Sequence, residues 1–224
     1  MCNYYSIGVE SRIGLGFDKR RTSSKVCNDV CYGWEGLKKL VCCYGQQRTH
    51  RIRELIHHVS TLNGDSETLL FAASEDSSKP GDHHYLTGNP VSLVCTNINS
   101  MMGGRTNVWA SGRGKDLGLK DSQGKTLAHS DSKLKEHSSH DDDHLEFSTV
   151  QSVIRLALGS AQRVAQDKGP FVIKFREPME FAKKHRVPQM VTYMQIDGEY
   201  YKVVNPDRVE IRLNPQFSRV KVLK

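Results

Sequence analysis

The chain has 224 residues, of which 37% are hydrophobic and 25% charged, a composition typical of a soluble globular protein with one large domain or two small ones. No uninterrupted apolar run approaches the roughly 20 residues needed to span a bilayer, and charges among the first residues exclude a secretory leader, so we expect a cytoplasmic protein with reduced cysteines. The net charge of +7 favours an anionic partner or simply a basic surface, and the scattered aromatic residues argue against nucleic acid.

The first hundred residues alternate between β-prone runs and helical spacings. A β-prone run opens the chain at 4–9, and apolar residues recur at helical spacing over 29–43. The next stretch, 49–62, fits a helix or a strand. A Ser-, Pro- and Gly-rich loop is predicted over 74–90, followed by a strand at 91–98.

Residues 110–144 are polar and predict a long mobile loop or insertion. Gly124-Lys125-Thr126 resembles the tail of a phosphate-binding loop, but Leu119 stands where that loop requires glycine. His137, His140 and His144 flank three aspartates and have metal-binding chemistry, which in a polar run indicates adventitious binding.

Order returns after residue 144. A helix is predicted within 145–166, with a buried face formed by Val153, Leu156, Leu158, Ala161 and Val164. Strands are predicted before Pro178 and at 209–213, and a hairpin turns at Asp197-Gly198. The sequence therefore predicts a mainly β fold with some α (α+β), arranged as a β-sandwich.

Three segments in the same order resemble one family, the eukaryotic diacylglycerol kinases, and specifically the accessory domain that forms the C-terminal half of their catalytic region. They are NYYSIGVESRI (3–13), TNINSMMGGRTNVWASG (96–112), and LEFSTVQSV with ALGSAQRVAQ running on to MQIDGEYY (145–201). The resemblance covers about residues 3–213, with 60–90 and 112–143 poorly matched. It implies one accessory domain over 1–224, with a flexible insert at 112–144, and the sandwich of the lipid kinase C-terminal domain.

The resemblance also implies an activity: transfer of the γ-phosphoryl group of ATP to the hydroxyl of diacylglycerol, giving phosphatidic acid, with Mg²⁺ as cofactor. Glu199 is then the expected general base, and Asp197 orients it or helps to hold Mg²⁺, directly or through water. Other matched residues are expected to line the cleft or form the turn packed against it: Asn3, Ser6, Gly8, Glu10, Asn97, Ser100, Gly103 and Gly104. Glu10 stands where the family usually has Asp.

The family's Gly-Gly-Asp-Gly-Thr ATP-binding loop does not occur in this sequence. We therefore expect an ATP-binding domain upstream, missing here because the gene model is incomplete or because the enzyme is split between two chains, and we expect this chain to be inactive alone. The expected partner is diacylglycerol at a membrane surface, reached by peripheral association. The alternatives are a non-catalytic lipid- or protein-binding module derived from a lipid kinase, and a sphingosine or ceramide kinase.

Overall fold

Two β-sheets packed face to face form the body of the protein, and helices cover the outer face of one of them. The computed structural model describes residues 4–41, 49–75, 84–101, 106–107, 116–128 and 144–212. The helices are α1 (Val9–Asp18), α2 (Lys25–Val41), α3 (Ile52–Leu55), α4 (Val153–Ala157) and α5 (Pro178–His185). The strands are β1 (Tyr4–Gly8), β2 (Ile56–Asn63), β3 (Ser66–Ala72), β4 (Tyr85–Leu86), β5 (Ser92–Thr96), β6 (Ser100–Met101), β7 (Thr106–Asn107), β8 (Asp116–Lys120), β9 (Thr126–Ala128), β10 (Leu145–Val150), β11 (Gln162–Asp167), β12 (Phe171–Phe175), β13 (Val191–Ile196), β14 (Glu199–Val204) and β15 (Arg208–Ile211).

The first sheet has the strand order β11-β10-β5-β1-β13-β14, and its neighbouring strands are antiparallel. The second sheet has the order β15-β12-β2-β3-β4-β8-β9, in which only the pair β3–β4 is parallel among the pairs described. Strands β6 and β7 form a separate two-stranded ribbon. This architecture confirms the predicted α+β sandwich.

Alternation along the strands of the first sheet gives it two buried faces. In β1, the odd-numbered residues Tyr5 and Ile7 lie in the core between the two sheets. In this core Phe147 of β10 meets Phe171 of β12 edge-on, with ring centroids 5.0 Å apart. A second apolar cluster lies on the opposite face, under α1 and α4, and consists of Val9, Ile13, Val91, Val94, Val150, Leu156 and Ala161. The site residues on this sheet are therefore held by packing from both sides.

The helix predicted across 153–164 is much shorter in the structure. Ser152 caps α4 by accepting a hydrogen bond from Arg155 N at 3.2 Å, and the helix ends at Ala157, before Gly159 with φ +66°. Leu158 is 77% exposed, so its assignment to a buried face is wrong. Residues 162–167 form β11 because they pair with β10 along the edge of the first sheet.

Two strands, β8 and β9, lie within the segment predicted as a long loop. Asp121 Oδ1 accepts hydrogen bonds from Gln123 N at 3.0 Å and Lys125 N at 2.8 Å, which fixes the turn between these strands. The Gly124-Lys125-Thr126 sequence is thus part of a β-hairpin. Residues 137–143 lie outside the described ranges. None of the helices in the described part of the chain is both long and apolar enough to cross a membrane.

Candidate functional site

The predicted Asp197-Gly198 turn is present and is bound to the first strand of the chain. Both residues have positive φ, +50° and +94°, as a two-residue hairpin of type I′ requires, and Ile196 pairs with Glu199 across it. Asp197 N donates to Tyr4 O at 3.0 Å, and Asp197 Oδ1 accepts from Tyr4 N at 2.9 Å. The carboxylate of Asp197 therefore fixes the hairpin to the start of β1.

The three segments that carry the family resemblance meet at one edge of the first sheet. Tyr4 lies opposite Thr96 of β5, and Glu146 of β10 lies opposite Thr96 on the other side. Asn97 is half-buried and directly follows Thr96, so it lies one residue beyond the Tyr4–Thr96 pair. Segments far apart in sequence are thus adjacent in space.

Several predicted site residues cannot be placed at this edge. Asn3, Gly103 and Gly104 lie outside the described residues. The backbone of Ser100 belongs to β6 and pairs with Asn107. For these positions the predicted cleft-lining or turn role stays a prediction.

Beside this edge lies an open cleft of about 820 Å³. Its wall is built from the start of β1, the first turn of α1, the loop between α1 and α2, one side of α2, and the β13–β14 hairpin. The residues that matter most for its chemistry are Tyr4, Glu10, Arg21, Lys25, Tyr32 and Tyr200. Sequence reasoning identified only Glu10 among them.

Glu10 is a buried carboxylate at this cleft. It is 2% exposed, and no described residue hydrogen-bonds to its Oε2. Burial raises the pKa of Glu10 to about 7, although the hydroxyl of Ser6 favours the charged form and lowers the pKa in part. The carboxyl group therefore exchanges its proton close to neutral pH.

Three tyrosines surround the same space. Burial, and next the negative charge of Glu10, raises the pKa of Tyr200 to about 12. The same two causes, in the same order, raise the pKa values of Tyr4 and Tyr32 well above the ordinary value. These phenols keep their protons at neutral pH and remain available as hydrogen-bond donors to an oxygen-rich ligand.

Ser6 and Gly8, predicted to line the cleft, do not border it and have structural roles instead. Ser6 is fully buried, and its hydroxyl lies 2.9 Å from Ser11 Oγ and donates to Gln195 Oε1 at 3.4 Å. Gly8 has φ +118°, and a Cβ atom there would lie 2.2 Å from Val91 O. Only glycine fits this approach, which lets β1 turn directly into α1 and so places Glu10 at the cleft.

Glu199 is exposed, and the strand register places it away from this cleft. It pairs with Ile196, which pairs with Tyr5, so the three side chains share the face directed towards the second sheet. Tyr200 points to the opposite face and lines the cleft. The two carboxylates of the Asp-Gly-Glu motif therefore lie at one turn but not in one pocket, and Glu199 is open to a molecule that approaches this edge from outside.

The carboxylates at this edge fit a hard cation only partly. Mg²⁺ prefers oxygen ligands and commonly keeps several waters while binding one or two carboxylates. Asp197 already uses Oδ1 to hold β1, so a water-mediated contact suits it better than direct ligation. Glu10 borders the cleft, and its buried Oε2, which has no hydrogen-bond partner among the described residues, could serve as an oxygen ligand there.

Comparison with known proteins identifies the family of the chain. The family model described as "Diacylglycerol kinase accessory domain" matches residues 1–200, which includes the first two motif segments and the third up to Tyr200. The curated proteins and the solved structures gave no match to the chain. Since the family match covers most of the 224 residues, the chain belongs to the diacylglycerol kinase accessory domain family.

Proposed function

We propose that this chain is the accessory part of an ATP-dependent diacylglycerol kinase and carries the residues that position and deprotonate the lipid hydroxyl. The observation that supports this is the meeting of three sequence-remote motif segments at one sheet edge, with Asp197 bonded to Tyr4 beside an open cleft. A separate Gly-rich domain, on the same polypeptide or on another, would bind ATP and dock at this edge of the sheet.

In this proposal Glu199 is the general base. It is exposed on a two-residue hairpin whose position is fixed by Asp197, so its carboxylate can meet the primary hydroxyl of diacylglycerol and accept its proton as the phosphoryl group is transferred. A rigid turn suits this role because a general base must be held within hydrogen-bonding reach of its proton. Mg²⁺, when bound, would neutralise phosphate charge, and Asp197 would contact it through water, because its Oδ1 already accepts a hydrogen bond from Tyr4 N.

The mouth of the cleft suits an anionic ligand. Arg21 and Lys25 line the cleft and are exposed. The acidic residues Asp18 and Asp29 also line it, so the site is not uniformly cationic. Guanidinium and ammonium groups bind phosphate oxygens through charge-assisted hydrogen bonds. This supports binding of a phosphate-bearing ligand in the cleft, on the face of the hairpin opposite to Glu199.

Helix α2 supports association with a membrane surface. One side of it, including Tyr32, lines the cleft, while Val26, Val30, Trp34 and Leu37 form a stripe on the other side that is between 48% and 72% exposed. The loop before this helix begins with three exposed cations, Lys19, Arg20 and Arg21. An apolar stripe with a tryptophan beside clustered cations is typical of helices that lie on anionic bilayers.

Replacing Glu199 by Gln tests the catalytic proposal. In the chain assembled with its ATP-binding domain, Glu199→Gln should lower phosphatidic acid formation by at least about 100-fold, because loss of a general base costs roughly 10²–10⁴-fold. The melting temperature should not change, since Glu199 is exposed. Glu180→Gln on α5, also an exposed glutamate, is the matched control and should keep normal turnover. Near-normal turnover in Glu199→Gln would remove Glu199 from the mechanism.

Vesicle sedimentation tests the membrane surface. The double variant Val30→Ser/Trp34→Ser should bind vesicles containing phosphatidic acid at least about 10-fold more weakly than the natural chain, because two apolar side chains no longer enter the interface. Ile154→Ser/Leu158→Ser on α4 removes two equally exposed apolar residues and should bind as the natural chain does. Equal binding by both double variants would place the membrane contact elsewhere, and unchanged vesicle binding with lost turnover would assign the stripe to contact with another protein.

A further inference from the structure

A second cluster of ligand-type side chains lies away from the cleft. One ligand atom each from His50, Glu54 and His185 lies within 4.8 Å of the other two, and all three residues are half-buried. His50 Nδ1 is 3.3 Å from Glu54 Oε2. None of the three lines the cleft. We propose that these residues form a binding site for a divalent transition metal ion, with Zn²⁺ the best-suited occupant.

The ligand chemistry selects this class of ion. Two imidazoles and one carboxylate are a common Zn²⁺ ligand set that leaves a fourth position for water. With Zn–N and Zn–O distances of about 2.0–2.2 Å, tetrahedral ligands lie roughly 3.3–3.6 Å apart. Atoms already within 4.8 Å of one another need only small side-chain rotations to reach that arrangement. Mg²⁺ and Ca²⁺ prefer oxygen ligands and do not suit two imidazoles.

The carboxylate is oriented by its own helix. Arg51 N donates to Glu54 Oε2 at 2.9 Å, as the N3 glutamate of a capping box does at the start of α3. An ionised carboxylate offers two oxygens with about four acceptor sites in all, so Glu54 can accept this bond and also contact a cation. Hydrogen bonds of this kind to a ligand group hold it in position for the metal.

The two imidazoles are oriented by one phenylalanine. Phe181 on α5 is 2% exposed, and its ring centroid lies 4.6 Å from that of His50 and 4.4 Å from that of His185. The two imidazole centroids are 4.9 Å apart. Helices α3 and α5 are each anchored in the core between the sheets, through Leu55 and Phe181. The site would therefore connect two elements that the fold already holds together.

A second set of the same residue types provides a matched comparison. His57 Nδ1 lies 2.8 Å from His58 Nδ1, and His58 Nε2 lies 3.1 Å from Glu67 Oε1. His58 thus stands between its partners and uses a different nitrogen for each. Among the residues with described positions, these three do not bring one ligand atom each to a common point.

Metal binding to the purified chain tests the proposal. We use a background in which His137, His140 and His144 are replaced by Gln, since that run also has metal-binding chemistry. Zinc titration with elemental analysis should give saturable binding of one ion per chain. Substituted Co²⁺ should show visible d–d absorption without a thiolate charge-transfer band, which separates this site from the cysteines.

Three single variants and one control decide the location. His50→Gln, Glu54→Gln and His185→Gln should each weaken Zn²⁺ affinity by at least about 100-fold, since even loss of an outer hydrogen bond to a ligand costs roughly 10–100-fold. Glutamine at 54 keeps the capping acceptor, so α3 is retained. His58→Gln should keep the parental affinity. Zn²⁺ should also raise the melting temperature of the parent chain but not that of His185→Gln, because binding to the folded state alone stabilises it.

The proposal is overturned by any of three results. The first is no saturable Zn²⁺ binding by the parent chain. The second is parental affinity retained in both His50→Gln and His185→Gln. The third is a Co²⁺ spectrum dominated by thiolate ligation. The His50–Glu54 contact would then be a polar contact beside the edge-on ring of Phe181 and nothing more.

Discussion

Glu10 and Glu146 are buried to the same extent but have different partners. Each is 2% exposed and lies on or beside the first sheet. Glu146 on β10 accepts two hydrogen bonds from Arg163 on β11, from Nε to Oε2 and from Nη2 to Oε1, both at 2.6 Å. Within the described part of the chain, no cation pairs with Glu10 and nothing hydrogen-bonds to its Oε2.

The difference separates a structural carboxylate from a functional candidate. A bidentate arginine satisfies a buried carboxylate fully, and the pair ties β10 to its edge strand. Burying a charged carboxylate without a partner cation costs free energy, so burial favours the neutral form of Glu10. This is why the pKa of Glu10 is raised. Glu10 borders the cleft, so a ligand that brings a cation or a donor would complete it. Glu146 needs no such ligand.

Removing the cation from the paired carboxylate should have the largest effect. Arg163→Met leaves Glu146 buried without a partner, and we expect the free energy of unfolding to fall by about 3–5 kcal/mol. Urea unfolding followed by circular dichroism measures this. The double variant Glu146→Leu/Arg163→Met removes both charges and should recover most of the loss. A loss below about 1 kcal/mol in the single variant would show that Glu146 is satisfied in another way, and the contrast with Glu10 would not hold.

The local features of this protein could be predicted from sequence. Asp197-Gly198 specifies a hairpin because the turn needs positive φ at two adjacent residues, a demand set within four residues of chain. Strands β1, β5, β12 and β15 overlap segments that the sequence predicts as strands from their β-prone or alternating residues. Apolar residues at helical spacing also occur across 153–164, but Gly159 and the pairing of β11 with β10 end the helix early, and that pairing is a tertiary contact.

The candidate site was only partly predictable for the same reason. The motif resemblance led to Glu10, Asp197 and Glu199, yet it could not show that the two carboxylates of the hairpin belong to different faces, since this depends on register with β1. The ring of tyrosines around Glu10 is assembled from elements far apart in sequence. The approach of His185 to His50 likewise depends on how α5 packs beside α3.

Replacing the unpaired carboxylate should have a smaller effect that depends on pH. The pKa of Glu10 is about 7 in the fold against 4.5 unperturbed, so between these values the folded state binds more protons than the unfolded state, and stability falls as pH rises. Glu10→Gln cannot titrate. The stability of the variant relative to the natural chain should therefore rise between about pH 4.5 and pH 7, by up to about 3 kcal/mol for a shift of this size, and be constant outside that window.

The slope of this stability difference with pH is the quantity to measure, because any unsatisfied amide in the variant adds an offset that does not vary with pH. Urea unfolding at a series of pH values gives it, with Glu180→Gln as the exposed control whose curve should run parallel to that of the natural chain. If the Glu10→Gln curve also runs parallel, a partner already satisfies Glu10 in solution, and the cleft contains no carboxylate waiting for a ligand.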